Sequence, residues 1–563
     1  MIRKMLLKIM GQCDGKSFVA EMNGEKETEK DFPFFQIKWE SFGNDLQIRL
    51  TPNEEKSYQE NGDYPEIVLE SVRLSFPWEY YGDKRRPESI FMNGYQSWTD
   101  SHEKLPHQKE HVISGFMKKV VESYKLRPYG DYDFTKKPAL PGQFHGFTYC
   151  YFRKGEDYRF LGSLSERDGY TIFYYDTKEQ RMQVEKDCKG LHVRKEWTVF
   201  HLTQLNGMEA EVFDAYFRKM KIAKPKGRPM TGYTSWYNHY QNISEEIIVD
   251  NLNAAVETGQ GWDIFQIDDG YQTHVGDWLS IDKKKFPHGL KPVVEKIHGA
   301  EMKAGLWLAP FVCETDSKCY TEHSEWLERD EAGEFVCAGS NWSGFYALDL
   351  EKEEVRSYLK EVFHTILNEW GVDLVKLDFL YAACIRPLPE KTRGQRMCEA
   401  MDFLREICGD KLILGCGVPL GPAFGKVDYC RIGCDVGLDW DDKFYMHFLH
   451  RERVSTKNAV GNAIYRRQLD GRAFFNDPDV YLLRDDNMKL NWREREDLAK
   501  INGLFGSLLF TSDNVRDYNE EKKKLCEEIR TMHRLPKKVI RGRDKTKIIY
   551  KQDGKRKEFV IKV

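Results

Sequence analysis

The sequence has no excess of charge of one sign. Its 563 residues include 86 Lys and Arg and 90 Asp and Glu, which gives a formal net charge of −4 at pH 7. A chain without a basic excess has no field that would attract a polyanion, and its aromatic residues are not interleaved with basic ones. We therefore expect no nucleic-acid partner.

Long apolar runs are also missing. The first ten residues, MIRKMLLKIM, are interrupted by Lys8, and no clear small-residue cleavage site follows them, so we interpret them as a first strand and not as a signal peptide. Nowhere else is an apolar stretch long enough to cross a bilayer. We expect a cytoplasmic protein with no membrane partner.

The cysteines lack the pattern of a metal site. There are thirteen, an odd and scattered set, and no Cys-x-x-Cys pair recurs with the spacing of a zinc finger. This favours free thiols in a reducing cytoplasm, and we predict neither a metal nor a cofactor. Without export, the glycosylation triplets at Asn242 and Asn341 are chance matches.

Large apolar side chains are abundant. Hydrophobic residues make up 40% of the chain and aromatic residues 13%. Such a chain can offset the entropy lost on ordering, and its length is more than one compact core usually covers. We expect a globular protein of two or three domains.

The amino-terminal part has the residue pattern of strands and turns. Up to about residue 215, apolar and polar residues alternate in short runs such as FQIKW, LQIRL, GFTYCYF and YTIFYY. This period of two predicts an antiparallel β-sandwich over residues 1–215. A helix precedes a linker rich in Pro, Gly and Lys, which we place at residues 216–225.

The pattern then changes to apolar strands that alternate with amphipathic helices. Eight such strands over residues 226–515 predict a (β/α)₈ barrel. The link between the fifth and sixth strands is too short for a full helix, and a long insertion through Leu348 follows the third strand. Residues 516–563 return to short alternating runs and predict a small antiparallel β domain.

Polar and aromatic residues are concentrated at the carboxyl ends of the predicted barrel strands, where the loops of such barrels form an open mouth. These ends supply Trp236, Asp268, Asp269, Trp307, Lys376, Asp378, Cys416, Arg431 and Asp435. Taken singly, an Asp after a strand is usually a helix cap and a Trp a core residue. Lys376 and Asp378, however, are two residues apart on one strand, so their side chains point to the same side. Burying two charged side chains costs free energy unless they pair or take part in a reaction.

Glycoside hydrolysis is the chemistry that suits this combination. One carboxylate attacks or shields the anomeric carbon, and the other protonates the leaving oxygen. Tryptophans pack on the apolar face of a sugar, and further Asp and Lys side chains bind its hydroxyls. The residues therefore predict a small-molecule carbohydrate as the substrate.

Seven motifs in chain order resemble the family 36 glycoside hydrolases, the microbial α-galactosidases of the melibiase group. The resemblance extends from about residue 90 to about residue 515. The motifs are NGYQSW (93–98), GYTSWYNHY (232–240), FQIDDGYQ with GDW following (265–278), GLWLAPF (305–311), LVKLDFLYA (374–382), LGCGVPLGPAFGKVDYCRIGCD (414–435) and FNDPD (475–479).

The resemblance implies a retaining, exo-acting α-galactosidase that hydrolyses terminal α-D-galactosides of oligosaccharides by double displacement. Asp378 would be the nucleophile, kept ionised with the help of Lys376, and Asp435 the acid/base, kept protonated by desolvation or neighbouring carboxylates. The implied substrate-binding residues are Asp268 and Asp269 at the 4-OH and 6-OH, Lys376 at the 3- or 4-OH, Arg431, Cys416 and Gly417 at the 2-position, Trp236 and Trp307 as walls, and Trp98 over the mouth.

Several alternatives stay open on the sequence. The contacts at the 2-position decide between α-galactosidase, α-N-acetylgalactosaminidase and galactosaminidase, and an acceptor hydroxyl in place of water would make a transglycosylase. The acidic run GLDWDD after Asp435 has no assigned effect. From other classes, the four Asp residues could hold Mg²⁺ or Mn²⁺, against which Lys376 argues, or the protein could bind sugar without catalysis. The large sandwich and the charged tail favour a homo-oligomer.

Overall fold

A computed structural model of the chain describes residues 4–53, 66–81, 88–113, 115–441, 448–543 and 545–563. The predicted fold class is confirmed: two antiparallel sheets at the amino terminus, a central parallel barrel, and a small antiparallel sheet at the carboxyl terminus. Within these ranges, no helix is both long enough and apolar enough to pass through a bilayer.

The amino-terminal sandwich consists of two antiparallel sheets whose buried faces enclose an apolar core. In spatial order, the first sheet contains Lys16–Asn23, Leu6–Cys13, Ile67–Pro77, Arg181–Lys186, Thr171–Asp176 and Gln143–Phe147, with His192–Val193 paired to Ile67–Pro77. The second sheet contains Glu29–Asp31, Phe35–Phe42, Asp45–Pro52, Trp197–Met208, Asp157–Ser163, Tyr149–Lys154 and Ser89–Met92.

One run that looks like a single strand in the sequence crosses between the two sheets. GFTYCYF is divided at Thr148, whose φ of 67° is in the left-handed region. The Thr148 N–H donates to the Thr171 carbonyl in the first sheet at 3.1 Å, and its own carbonyl accepts from Ser163 N–H in the second at 2.7 Å. Apolar and aromatic residues continue on both sides of this break, so the residue pattern does not mark it.

The barrel strands follow one another around a parallel sheet. The first strand pairs with the second and with the eighth. A single bridge between Val480 and Phe510 links the segment after the seventh strand to the eighth strand. The strands are buried on both faces because helices surround them. They are Met230–Thr234, Ile264–Ile267, Lys303–Leu308, Leu374–Leu377, Leu412–Gly415, Tyr429–Arg431, Phe475–Asp477 and Leu508–Thr511.

The helices begin at residues suited to capping. Ser244, for example, accepts the N–H of Ile247 at 3.3 Å and precedes two acidic residues, which favours the start of a helix. The fifth and sixth strands are joined by only one short helix, Leu420–Ala423, as the sequence predicted. The α-helices are Gly115–Ser123, Glu209–Met220, Trp236–His239, Glu245–Glu257, Lys291–Gly299, Lys318–Glu322, Glu353–His364, Arg393–Cys408, Leu420–Ala423, Thr456–Tyr465, Trp492–Phe505 and Glu520–Met532.

The insertion after the third barrel strand forms a small sheet of its own, Val312–Glu314, Phe345–Ala347 and Cys337–Gly339. At the carboxyl terminus, the strands Lys537–Arg541, Thr546–Gln552 and Lys555–Ile561 form the expected antiparallel sheet. The helix Glu520–Met532 precedes them and was not predicted. The domain limits 1–215, 216–225, 226–515 and 516–563 stay a proposal.

Candidate active site

The carboxyl ends of the barrel strands open on a cavity of about 260 Å³. Most of the residues predicted for the site line it, and they come from the barrel strands and from the sandwich: Trp98, Trp236, Asp268, Asp269, Trp307, Lys376, Asp378 and Asp435. The predicted residues Cys416, Gly417 and Arg431 are buried directly behind these side chains. Residues that are far apart in the sequence therefore meet in one cavity.

Asp378 is held in place at the end of the fourth strand. Its Oδ2 accepts from Trp307 Nε1 at 3.1 Å, and its Oδ1 accepts from the N–H of Phe379 at 2.9 Å. Burial raises the pKa of Asp378, and Lys376 and the Trp307 hydrogen bond only partly oppose this rise. The expected help from Lys376 is present, but burial outweighs it.

Lys376 is paired with Asp268, which the sequence did not indicate. Its Nζ lies 2.8 Å from Asp268 Oδ2, and both side chains are buried. Burial works against the charge of Lys376, but Asp268 and other neighbouring groups raise its pKa above the ordinary value. Gln266 Nε2 also donates to Asp268 Oδ2 at 2.8 Å, so this carboxylate is fixed from two sides.

Lys376→Met is expected to destabilise the protein, because it leaves the Asp268 carboxylate buried without its cation. A broken buried pair costs about 3–5 kcal/mol. Thermal unfolding followed by calorimetry measures this, and the double variant with Asp268→Asn should recover part of the loss because no unpaired charge remains. A double variant less stable than Lys376→Met alone would contradict the pairing.

Asp269 is surrounded by side-chain donors. Trp342 Nε1 and Gln241 Nε2 each donate to its Oδ2 at 2.9 Å, and Gln272 Nε2 donates to its Oδ1 at 2.6 Å. Burial raises the pKa of Asp269, and these hydrogen bonds lower it in part. Trp342 belongs to the insertion after the third strand and was not predicted as a site residue.

Asp435 lies at the side of the cavity and is only partly buried, with 35% of its side chain exposed. Its Oδ1 accepts from Arg431 Nη2 at 3.0 Å. The same nitrogen is 3.2 Å from Oδ2 of Asp479, and Arg431 itself is buried. A second carboxylate, that of Asp479, therefore shares the guanidinium that binds Asp435.

Trp98 reaches the cavity from the sandwich. Its Nε1 donates to Cys416 Sγ at 3.3 Å, and its ring covers Gly417 so closely that an added Cβ would be 2.8 Å from it. Gly417 also has a φ of 54°, which glycine adopts readily. The buried guanidinium of Arg466 fixes the loop that carries Trp98, and it donates to the Ser97 carbonyl at 2.7 Å.

Sequence reasoning missed nine of the cavity residues. They come from the sandwich, the insertion, the turn after the fourth strand and the segment that follows the sixth strand. Together they are Leu126, Tyr129, Asn341, Trp342, Phe379, His450, Glu452, Arg453 and Val454. Asn341 and Trp342 lie within a triplet that matched only a glycosylation signal, and no periodic pattern marks the others.

The segment with His450 and Glu452 is tied to the sandwich. Glu452 Oε1 accepts from Thr99 Oγ1 at 2.9 Å, and its Oε2 accepts from the Tyr132 hydroxyl at 2.9 Å. In the acidic run GLDWDD, Asp441 Oδ1 accepts from Ser455 Oγ at 3.3 Å, whereas Asp442 is outside the described residues. The described part of this run thus contacts the same segment.

Comparisons with known proteins agree with the motifs. A family model described as Melibiase matches residues 194–397. The α-galactosidase Mel36A of Lactobacillus acidophilus is 31% identical over 153 residues, 26% of this chain and 20% of the relative. An α-galactosidase of Escherichia coli is 30% identical over 183 residues, 31% of this chain and 25% of the relative. The matched stretches thus span a fifth to a quarter of these curated relatives.

Among solved structures, the α-galactosidase TtGalA of Thermus thermophilus, in complex with p-nitrophenyl α-D-galactopyranoside, is similar with a TM-score of 0.69 and 26% identity. The alignment covers 92% of this chain and 98% of that chain. The GH36 α-galactosidase AgaA of Geobacillus stearothermophilus has a TM-score of 0.60 at 12% identity, over 97% of this chain and 75% of that chain. At this low identity, the similarity shows a shared fold. The resemblance to family 36 is confirmed.

Proposed function

We propose that this protein is a retaining, exo-acting α-galactosidase that hydrolyses terminal α-D-galactosides of oligosaccharides. It has a region that matches the Melibiase model and the fold of the family 36 α-galactosidases. The observation that carries the proposal is that Asp378 and Asp435 line the same cavity, together with Asp268, Lys376 and four tryptophans. The relatives found by the comparisons are α-galactosidases. The cytoplasmic location and the homo-oligomer stay predictions.

In the proposed mechanism, Asp378 attacks the anomeric carbon while Asp435 gives its proton to the leaving oxygen. The bond from C1 to the aglycone breaks, and a bond from C1 to the Asp378 carboxylate forms. Asp435, now ionised, takes a proton from water, and the resulting attack on C1 releases Asp378 and galactose. Two inversions at C1 give net retention.

The floor of the cavity offers a set of charged groups suited to the hydroxyls of one sugar. We assign Asp268 and Asp269 to the 4-OH and 6-OH and Lys376 to the 3- or 4-OH, where hydrogen bonds to charged groups are strong. Trp236 and Trp307 would contact the apolar ring faces. The small volume of the cavity at the strand ends, about 260 Å³, supports exo-action on one terminal residue.

Contacts behind the cavity favour galactose over its 2-acetamido relative. If Arg431, Cys416 and Gly417 surround the 2-position, as the family resemblance implies, the Trp98 ring packed on Cys416 and Gly417 leaves little space for an N-acetyl group. We therefore propose α-galactosidase activity in preference to α-N-acetylgalactosaminidase activity.

Trp98→Ala is expected to raise KM for nitrophenyl α-galactoside about tenfold or more, because a large aromatic contact is lost. It should also improve relative turnover of the N-acetylgalactosaminide, since space opens over Gly417. Steady-state kinetics with both substrates measures the ratio. Trp236→Ala, on another wall, serves as the control that should raise KM without changing the ratio, and an unchanged ratio in Trp98→Ala would contradict the assignment of the 2-position.

The first experiment is hydrolysis of nitrophenyl α-glycosides by the wild-type protein. Because TtGalA is in complex with p-nitrophenyl α-D-galactopyranoside and with stachyose, we expect turnover of the nitrophenyl α-galactoside and of terminal galactose in stachyose. NMR spectroscopy should show α-galactose as the first product, whereas β-galactose would reject retention. No turnover of any activated α-glycoside despite galactose binding would select the non-catalytic alternative.

A further inference from the structure

Asp479 lies behind the cavity and contacts the segment that carries Asp435. Its Oδ2 accepts from the N–H of Val436 at 2.8 Å and from the Tyr237 hydroxyl, and it lies 3.2 Å from Arg431 Nη2. The same Arg431 nitrogen donates to Asp435 Oδ1 at 3.0 Å. One carboxylate oxygen therefore contacts both the residue after Asp435 and the cation that binds Asp435.

The backbone at Asp479 is in a conformation that costs energy. Its φ of 79° is in the left-handed region, and the residue is buried. For a residue other than glycine, such a conformation is unfavourable and persists only where its surroundings fix it. Here the N–H of Asp479 donates to Asp477 Oδ1 at 2.8 Å, which holds the turn. In this conformation the carboxylate lies against Arg431.

The surroundings of Asp479 also affect its pKa. Burial raises the pKa of Asp479, and Asp435 and Asp477 raise it further, while Arg431 and the Tyr237 hydroxyl lower it. The net result is a pKa of Asp479 above the ordinary value for Asp, because burial and the neighbouring carboxylates outweigh Arg431.

We propose that Asp479 is a positioning residue for the acid/base reaction, and that it acts through Arg431 and Val436 to direct the Asp435 carboxyl toward the leaving oxygen. This inference rests on the proposed function, in which Asp435 protonates that oxygen. Asp479 is not among the described residues that line the cavity, so we expect no direct contact between it and the sugar. Its effect must therefore appear in proton transfer.

The test uses the dependence of the rate on the leaving group. A poor leaving group such as the glucose of melibiose needs its oxygen protonated, whereas 2,4-dinitrophenolate does not. In Asp479→Asn, kcat/KM for melibiose is expected to fall about 100-fold or more, and kcat/KM for 2,4-dinitrophenyl α-galactoside less than about tenfold. A residue with only a structural role would lower both values by the same factor.

The control is Asp470→Asn, which removes a partly buried carboxylate from the opposite end of the barrel. Asp470 accepts from Asn476 N–H at 2.8 Å and from Ser507 Oγ at 2.9 Å, next to the amino ends of the last two strands. This variant should change kcat/KM for both substrates by the same factor. If Asp479→Asn does not fold, Tyr237→Phe, which removes one donor to Asp479, decides the question by the same ratio.

Asp435→Asn serves as the reference. If it discriminates between the two substrates and Asp479→Asn lowers both equally, the positioning role of Asp479 is overturned and the proposed function stands. If Asp435→Asn itself does not discriminate, the role of Asp435 fails, and the role of Asp479 fails with it. Discrimination in both variants, with none in Asp470→Asn, supports the proposal.

Discussion

Asp378→Gly is expected to lower kcat/KM for nitrophenyl α-galactoside by on the order of 10⁴-fold or more, because the group that attacks C1 is lost. Added azide should restore part of the activity by entering the space of the missing carboxylate. The product should be β-galactosyl azide, with inverted configuration, since azide attacks directly from the face that Asp378 occupied. Product analysis by NMR spectroscopy measures both the rescue and the configuration.

The matched control is Asp373→Asn at the opposite end of the same strand. Asp373 Oδ2 accepts from the N–H of Ala304 at 2.9 Å, away from the cavity. This variant is expected to keep kcat near the wild-type value. Retained hydrolysis in Asp378→Gly without any need for azide would reject Asp378 as the nucleophile.

In the wild type, the acid limb of the kcat/KM profile should also reflect Asp378. Burial raises the pKa of this carboxyl above the ordinary value for Asp, so the ionised form that attacks is lost as pH falls through the raised pKa. Activity should therefore decline at a higher pH than an exposed Asp would give.

Asp435→Ala is expected to show the second large effect, which depends on the leaving group. For melibiose, kcat/KM should fall about 10²- to 10⁴-fold, because the leaving oxygen receives no proton. For 2,4-dinitrophenyl α-galactoside, the covalent step should remain fast, and a burst of dinitrophenol should precede slow turnover because no base activates water. Stopped-flow absorbance measures the burst.

Azide should also accelerate the Asp435→Ala variant, but here the product should be α-galactosyl azide, with retained configuration. The nucleophile is intact in this variant, so azide attacks the covalent intermediate and not the substrate. Asp428→Asn, at the other end of the sixth strand, is the control, since Asp428 accepts from Ile413 N–H at 3.0 Å outside the cavity. A β-azide from Asp435→Ala would contradict the assigned roles.

The sequence predicted the barrel and the cavity residues at its strand ends because a simple rule connects them. Parallel strands with helices between them bring their carboxyl ends to one side, so residues at those ends, such as Asp268, Asp378 and Asp435, must converge. What the rule does not contain is which charges pair. Lys376 was placed beside Asp378 by spacing along one strand, and its hydrogen-bonded partner is Asp268, on another strand.

The missed residues come from segments whose position depends on tertiary contacts. Trp342 reaches Asp269 from an insertion, and Glu452 is held by Thr99 and Tyr132 of the sandwich. No local period encodes such contacts. The helix Glu520–Met532, in contrast, did carry a signal, because its buried apolar residues recur at helical spacing.

The most direct test of the central claim, that Asp378 and Asp435 act on the same C1, is to trap the covalent intermediate. Wild-type protein would be incubated with a fluorinated α-galactoside that reacts in the first step and hydrolyses slowly, and peptide mass spectrometry would locate the sugar. We expect one fluorinated galactosyl group, on Asp378, formed faster in the wild type than in Asp435→Ala when the leaving group is poor. A sugar attached to another residue, or full turnover with no labelled peptide, would contradict it.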